Sequence, residues 1–233
     1  MLIYGNNPVE EAVKADRKIF ELFYVNETHT QLITAANHKG IKTTVLDKQA
    51  MTKKFGAMHQ NIAANVEDYA FIQLKESLAK AGKKLYILLD GVEDPHNLGA
   101  VIRNAEAFGA SGIILPKHRT AHVTPTVVKV SSGAIEYVDL IQVSNLNQAI
   151  RTLKENHVWV VGFALETPDT LDDIFVDTDL ALIFGNEGKG LSALVRKNCD
   201  FLVKIPMNGY VNSLNISASA AVALHDIKKR QRS

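Results

Sequence analysis

From residue 84 onward the chain alternates short apolar runs with polar loops and segments of helical spacing. Leu85–Leu89 holds no polar residue except Tyr86 and is expected as a strand buried on both faces, as in a parallel sheet. Leu98–Phe108 keeps a helical period up to the stop at Gly109. Further strands are expected at Gly112–Leu115, Tyr137–Val143, Val158–Leu165, Leu180–Phe184 and Phe201–Met207. Helices are expected at Val123–Ser132, at Leu146–Glu155, near Leu191–Arg196, and from about Leu214. Strands and helices alternating at this spacing predict an α/β domain with a parallel sheet covered on both faces.

The first 55 residues have a smaller pattern of their own. Pro8 sits near the start of a helix with candidate caps Asn6 and Asn7 and apolar positions Val9, Ala12 and Val13. Ile19–Val25 reads as a strand, and Thr28–Lys39 as a helix stopped by Gly40. Ile41–Leu46 is a second strand, and Asp47 caps a short helix ending near Phe55. The stretch His59–Ala70 fits neither period, and Leu74–Gly82 reads as an exposed helix or linker. The expected division is residues 1–72, a linker at 73–83, and 84–233.

Composition narrows the classes. The chain is 46% apolar and 22% charged, ordinary for a globular protein, and its net charge of +1 neither invites nor forbids a nucleic-acid partner. A single cysteine, Cys199, excludes an internal disulfide framework and fits a reducing compartment. The opening residues lack a basic segment followed by an apolar one, and no apolar run approaches the roughly 20 residues that span a bilayer. A cytoplasmic protein with no membrane partner is expected. The eight histidines show no metal-ligand spacing, so no metal is expected either.

Three strand-to-loop junctions carry the candidate chemistry: LLDGVEDPHNLGAVIR at 88–103, LIFGNEGKG at 182–190 and FLVKIPMNGYVNSLNIS at 201–217. Polar loops at the carboxyl ends of parallel strands are where α/β folds place ligands, with unpaired helix amides pointing into them. The glycine-rich loop has no Gly-Lys-Ser/Thr ending, so it is not a nucleoside-triphosphate loop, and no dinucleotide fingerprint or nucleophile elbow is present. Taken alone, Gly185–Gly190 could be only a turn, but Glu187 lies inside it. Asn97 reads first as a helix cap. Arg103, among Ala100, Val101, Ala105, Ala107 and Phe108, is expected to be partly covered and to need an anion, either Glu187 or a phosphate. The third loop holds Asn208, Gly209, Asn212 and Ser213; Ser213 reads as the cap of the last helix, with Asn215 inside its first turn. The small residues from Ser217 to Ala223 suit tight packing or a subunit interface. The basic run Lys228–Arg232 reads as a solvated tail that could touch phosphates.

Taken together and in order, the three loops resemble the signature motifs of the SpoU (TrmH-like) branch of the knotted RNA methyltransferases. The matching stretches are Asp94–Leu115, Leu182–Ser192 and Ile205–Leu224. YGNNPVEEAV and HQNIAANVEDY resemble the ribosomal-protein-type (L30e-like) RNA-binding domain of longer members. The resemblance implies a small N-terminal substrate-binding domain and a C-terminal domain tied in a deep trefoil knot, against the general rule that chains do not thread. It also implies S-adenosylmethionine as cofactor, a homodimer, and RNA as substrate, nearest to the bacterial enzymes that methylate a guanosine 2′-hydroxyl in 23S rRNA. Carried over residue by residue, Arg103, Asn97, Glu187, Ser213 and Asn215 fall on the polar active-site positions. Backbone around Leu165, Gly185, Ile205, Met207 and Leu214 falls on the cofactor positions. A guanidinium does not give up its proton in proteins, so Arg103 is expected to bind the phosphate beside the acceptor rather than act as a base. A tRNA or another rRNA nucleotide as acceptor, or a non-catalytic RNA-binding protein, are the competing readings.

Overall fold

The computed structural model describes every residue except Glu27, Arg119, Val211, Asn212, Arg232 and Ser233. Asn212 of the third loop and Arg232 of the basic run therefore lie outside the described residues. In chain order come β1 (Leu2–Tyr4), α1 (Asn6–Lys14), β2 (Ile19–Val25), α2 (Thr30–His38), β3 (Thr43–Leu46), α3 (Lys48–Phe55) and β4 (Ile62–Val66). There follow α4 (Leu74–Ala79), β5 (Leu85–Asp90), α5 (Pro95–Ala107), β6 (Gly112–Pro116), α6 (Pro125–Ser131), β7 (Asp139–Val143) and α7 (Leu146–Glu155). The last are β8 (Trp159–Phe163), β9 (Leu180–Gly185), α8 (Ala193–Asn198), β10 (Phe201–Val203) and α9 (Ile216–Arg230).

These elements form two compact units. One holds Met1–Tyr69 together with His122–Tyr137, and the other holds Ala70–Ala121 and Val138–Ser233. The expected continuous span 84–233 is thus interrupted, because α6 and the turn after it gather with the N-terminal residues.

The N-terminal unit is built on a sheet of order β1-β4-β2-β3, antiparallel except for the parallel pair β2 and β3. β1 and β4 lie outside the sequence expectation. β4 reads IAANV, and two of its four buried positions are alanines, which carry little strand signal. α1 starts at Asn6 on Gly5, which adopts φ +95°, so neither asparagine caps it. Asp47 does cap α3, accepting from the Ala50 amide at 2.7 Å. Phe23, Met51, Phe55 and Ala63 make the core beneath this sheet.

Polar contacts hold His122–Tyr137 to this unit. The Arg17 guanidinium meets the Glu136 carboxylate at 3.3 Å, donates to the Glu67 carbonyl at 2.5 Å and lies 3.5 Å over the Tyr69 ring. The Tyr69 hydroxyl donates to Glu136, and burial pushes that phenol well above its ordinary range. Side-chain exposure of Arg17 and Glu136 is 14% and 4%, so this pair is largely out of water. Tyr137 donates to Glu11 at 2.7 Å, and Lys129 to the Gln60 side chain at 2.5 Å.

The second unit is a six-stranded, wholly parallel sheet of order β10-β8-β9-β5-β6-β7. Tyr86, Leu88, Ile114, Ile141, Ala181 and Ile183 face α7, whose Leu146, Ala149, Ile150 and Leu153 complete that core, joined by Val195 of α8. The alternate positions Leu85, Ile87 and Leu89 point to the other side. There α5 and α9 pack on each other and over β6 and β9. β10 stops at Val203, not Met207, because the Lys204 amide turns to the Asp169 carbonyl at 2.9 Å. Ile205–Met207 is thereby released from the sheet. β7 starts late, at Asp139, since residues 134–136 form a 3-10 turn.

The end of α9 is fastened to the connection between β8 and β9. Arg230 donates to the carbonyls of Leu171 (2.5 Å) and Ile174 (2.8 Å), and Gln231 to that of Val176 (2.8 Å). Among the described residues no helix is long and apolar enough to cross a membrane.

Candidate functional site

The three loops anticipated from the sequence meet at the carboxyl ends of β5 and β9 and the start of α9. In the first, Asp94 is the cap of α5, accepting from His96 N at 2.9 Å, with Pro95 opening the helix. The expectation of Asn97 as cap is therefore corrected. The earlier start leaves the Asn97 side chain, only 8% exposed as a residue, free for another partner. Its amide donates to Glu187 Oε1 at 2.7 Å.

Glu187 is presented by a loop that folds back on itself. Asn186 and Gly190 pair backbone to backbone at 3.1 and 2.8 Å. Asn186 Oδ1 accepts from the amides of Gly188 (3.0 Å) and Lys189 (3.3 Å), and its Nδ2 donates to the Gly91 carbonyl at 2.9 Å. The Ser192 amide donates to Asp90 at 2.7 Å. Gly185 is obligatory here, since a Cβ would fall 2.2 Å from the carbonyl carbon of Gly190. Asn186, which is not among the expected site residues, thus ties the second loop to the first. An Asn two residues ahead of a Gly was the available signal, because its side chain mimics a turn.

In the third loop Asn215, not Ser213, caps α9. Its Oδ1 accepts from the Ser217 amide at 2.8 Å and from the Ser217 hydroxyl at 2.6 Å. A backbone amide can only donate, which fixes the orientation of the Asn215 side chain. Its Nδ2 then donates to Asn97 Oδ1 at 2.8 Å and to Glu187 Oε1 at 3.0 Å. One side chain from each loop therefore closes a triangle: two amides converge on one oxygen of Glu187. Oε2 of Glu187 makes no hydrogen bond among the described residues.

Beside the triangle lies a cavity of about 290 Å³, near the lower end of the roughly 300–1,000 Å³ common for small-molecule sites. All five expected cofactor positions line it: Leu165, Gly185, Ile205, Met207 and Leu214. Glu187 and Ser213 line it too. The release of Ile205–Met207 from β10 is what gives the cavity that wall.

Arg103 stands apart. It is exposed, and it makes no hydrogen bond or ion pair with the described residues, so the expected cover is corrected and, of the two expected anions, Glu187 is not its partner. The buried stripe of α5 is Leu98, Gly99, Val101, Ile102 and Ala105, and Arg103 lies off it beside exposed Glu106 and Ala107. The next residue, Asn104, donates to the Ser217 carbonyl at 2.8 Å, which sets α5 against the start of α9. Cys199 is half-buried with its thiol toward the Val195 carbonyl at 3.3 Å, and burial pushes it up to about 11. Among the described residues no group of His, Cys, Asp and Glu is gathered to hold a metal ion.

Comparison with known proteins places this geometry. The SpoU rRNA methylase family model matches residues 84–225, and a model for RNA 2′-O ribose methyltransferase substrate binding matches residues 2–72. YacO of Bacillus subtilis, named as a TrmH-family tRNA/rRNA methyltransferase, is 35% identical over 237 aligned residues, covering 98% of this chain and 95% of YacO. A Staphylococcus epidermidis protein named to the same family is 37% identical, covering 99% of this chain and 96% of its own. Among solved structures, an AdoMet-bound rRNA methyltransferase of Sinorhizobium meliloti superimposes with a TM-score of 0.85 at 25% identity, covering 100% of this chain and 88% of that one. The SpoU methyltransferase AviRb of Streptomyces viridochromogenes, solved with AdoMet, shares the fold at a TM-score of 0.85 and 24% identity, covering 100% and 91%. With its three motif loops joined around one carboxylate and both of its segments matched, the chain belongs to the SpoU family of RNA methyltransferases.

Proposed function

We propose that this chain moves a methyl group from S-adenosylmethionine to the 2′-hydroxyl of a ribose in RNA, with a guanosine of 23S rRNA as acceptor. The observation that carries the reading is the Asn97–Glu187–Asn215 triangle at the wall of the cavity. The cavity suits the cofactor: apolar walls from Leu165, Ile205, Met207 and Leu214, and close backbone approach at Gly185. Those residues would hold it, and when bound it supplies a methyl group on a sulfonium. The chain's own part is to position the acceptor. Glu187, oriented by two amides, keeps Oε2 open toward an incoming hydroxyl. Asn215 couples that carboxylate to the first turn of α9, and Ser213 lines the approach. Arg103, unpaired and exposed, binds the phosphate next to the acceptor ribose as a planar cation.

The same reading includes a homodimer paired along α5 and α9. Val222 and Leu214 are 44% and 41% exposed, and the helix around Val222 is rich in small residues. Such a homodimer would border Arg103 with a second surface. The N-terminal unit, matched by the substrate-binding model, docks the RNA, and the protein works in the cytoplasm, a reading that its lone thiol supports.

The test is Arg103→Ala. Transfer of labelled methyl to total RNA is expected to be lost, while affinity for S-adenosylhomocysteine stays within about twofold of the native protein. Efficient methylation by that variant would overturn the assignment. The names of the relatives cover tRNA as well as rRNA, so mapping the labelled nucleotide decides between the two acceptors.

A further inference from the structure

The cavity has a charged rim that the triangle does not use. Glu166 follows directly on Leu165 after β8, and Arg196 sits in the last turn of α8; both line the cavity. Arg196 Nη1 donates to Glu166 Oε2 at 2.9 Å, and Nη2 to the Glu166 carbonyl at 3.3 Å. Side-chain exposure is 38% for Arg196 and 74% for Glu166. The Arg196 guanidinium holds the Glu166 carboxyl below its usual range.

A pair this exposed is held weakly, because solvent screens its charges. It is therefore cheap to open. Of the other charged side chains on the wall, Glu187 is engaged by Asn97 and Asn215, while Lys189 and Lys204 offer positive charge alone. Glu166 and Arg196 are thus the adjoining acid and base on this wall that already touch each other. A ligand with both a carboxylate and an ammonium matches such a pair, trading one ion pair for two. Arginine adds a planar fork that receives a carboxylate through two parallel bonds.

We infer that Glu166 and Arg196 form the subsite for the amino-acid end of the cofactor, Arg196 taking its α-carboxylate and Glu166 its α-ammonium. This rests on the cofactor reading above, and the experiment separates the two. S-adenosylhomocysteine and 5′-methylthioadenosine share the adenine, the ribose and a thioether, but only the first carries an amino acid. Both are titrated calorimetrically into the native chain and into Arg196→Ala, Arg196→Lys and Glu166→Gln. Arg196→Ala is expected to weaken S-adenosylhomocysteine by roughly tenfold or more, as loss of a charged hydrogen-bonding partner does, with methylthioadenosine changed less than about twofold. Arg196→Lys should recover part of the loss, and Glu166→Gln should show the same selectivity for the longer ligand. Equal loss for both ligands would move the pair to the nucleoside and overturn the inference, as would no loss for either. A native chain that binds neither ligand refutes the cofactor reading itself, and the subsite with it.

Discussion

Asn215 does two jobs that one substitution can pull apart. In Asn215→Asp the side chain keeps its shape and its cap, because Asp and Asn cap helices about equally well. The bonds from Ser217 therefore persist. What changes is the other end, where an amide donor 3.0 Å from Glu187 Oε1 becomes a second carboxylate oxygen. Both residues are exposed, so the repulsion is nearer the value in water, about 1 kcal/mol, than the roughly 4 kcal/mol of a half-buried pair. Loss of the two donated bonds adds about 1–2 kcal/mol. For a chain of this size the total, about 2–3 kcal/mol, lowers the melting temperature by about 4–12 °C at pH 8. The sign with pH follows from linkage. Facing carboxylates bind a proton more tightly folded than unfolded, so the repulsive part is present at neutral pH and fades as pH falls through the carboxylate range. Asn215→Ala loses the cap, about 1 kcal/mol, and the same two donated bonds, but gains no charge, so its deficit stays flat with pH. Calorimetric melts of the native chain and both variants between pH 5 and pH 8 read the difference directly. If Asn215→Asp tracks Asn215→Ala at every pH, the two side chains do not face each other and the triangle is wrong.

Two other residues give independent tests. Glu136→Gln keeps the shape but strips the charge facing Arg17, whose Nε already lacks a partner; removing one member of so buried a pair should destabilise the N-terminal unit by about 3 kcal/mol, seen as a lower urea midpoint. A change under a few tenths of a kcal/mol would mean the pair is solvated. Cys199, held near 11 by burial, should react slowly with Ellman's reagent at pH 8, speed up toward pH 10–11, and react at the rate of a free thiol in denaturant. Fast labelling of the native chain at pH 8 would contradict its burial.

Much of the second unit was readable because parallel strands leave an unambiguous mark. Leu85–Leu89 must be apolar on both faces, and so it is. Shorter and weaker signals failed. β1 has three residues and β4 is partly alanine, so neither rises above background. The site was legible as a set of residue types, not as a set of jobs. Asn97 and Ser213 read as caps because caps are the commonest use of such residues. The true caps, Asp94 and Asn215, differ by two or three positions, and that shift frees the Asn97 amide for Glu187. The cover expected for Arg103 fails because alanines nearby do not make a buried wall. An alanine on an exposed helix face covers very little, and Ala107 is one.

The loan of His122–Tyr137 to the first unit constrains how this protein can be dissected. The polypeptide leaves its parallel sheet after β6, spends sixteen residues among the N-terminal strands and helices, and returns for β7. A fragment begun at residue 84 would keep α6, with its buried Val127 and Val128, while discarding β1 and α1, two of the elements it packs against. Such a truncation would expose a greasy flap and invite precipitation. An isolated catalytic half is better made by replacing 122–137 with a short polar bridge than by cutting at the linker alone.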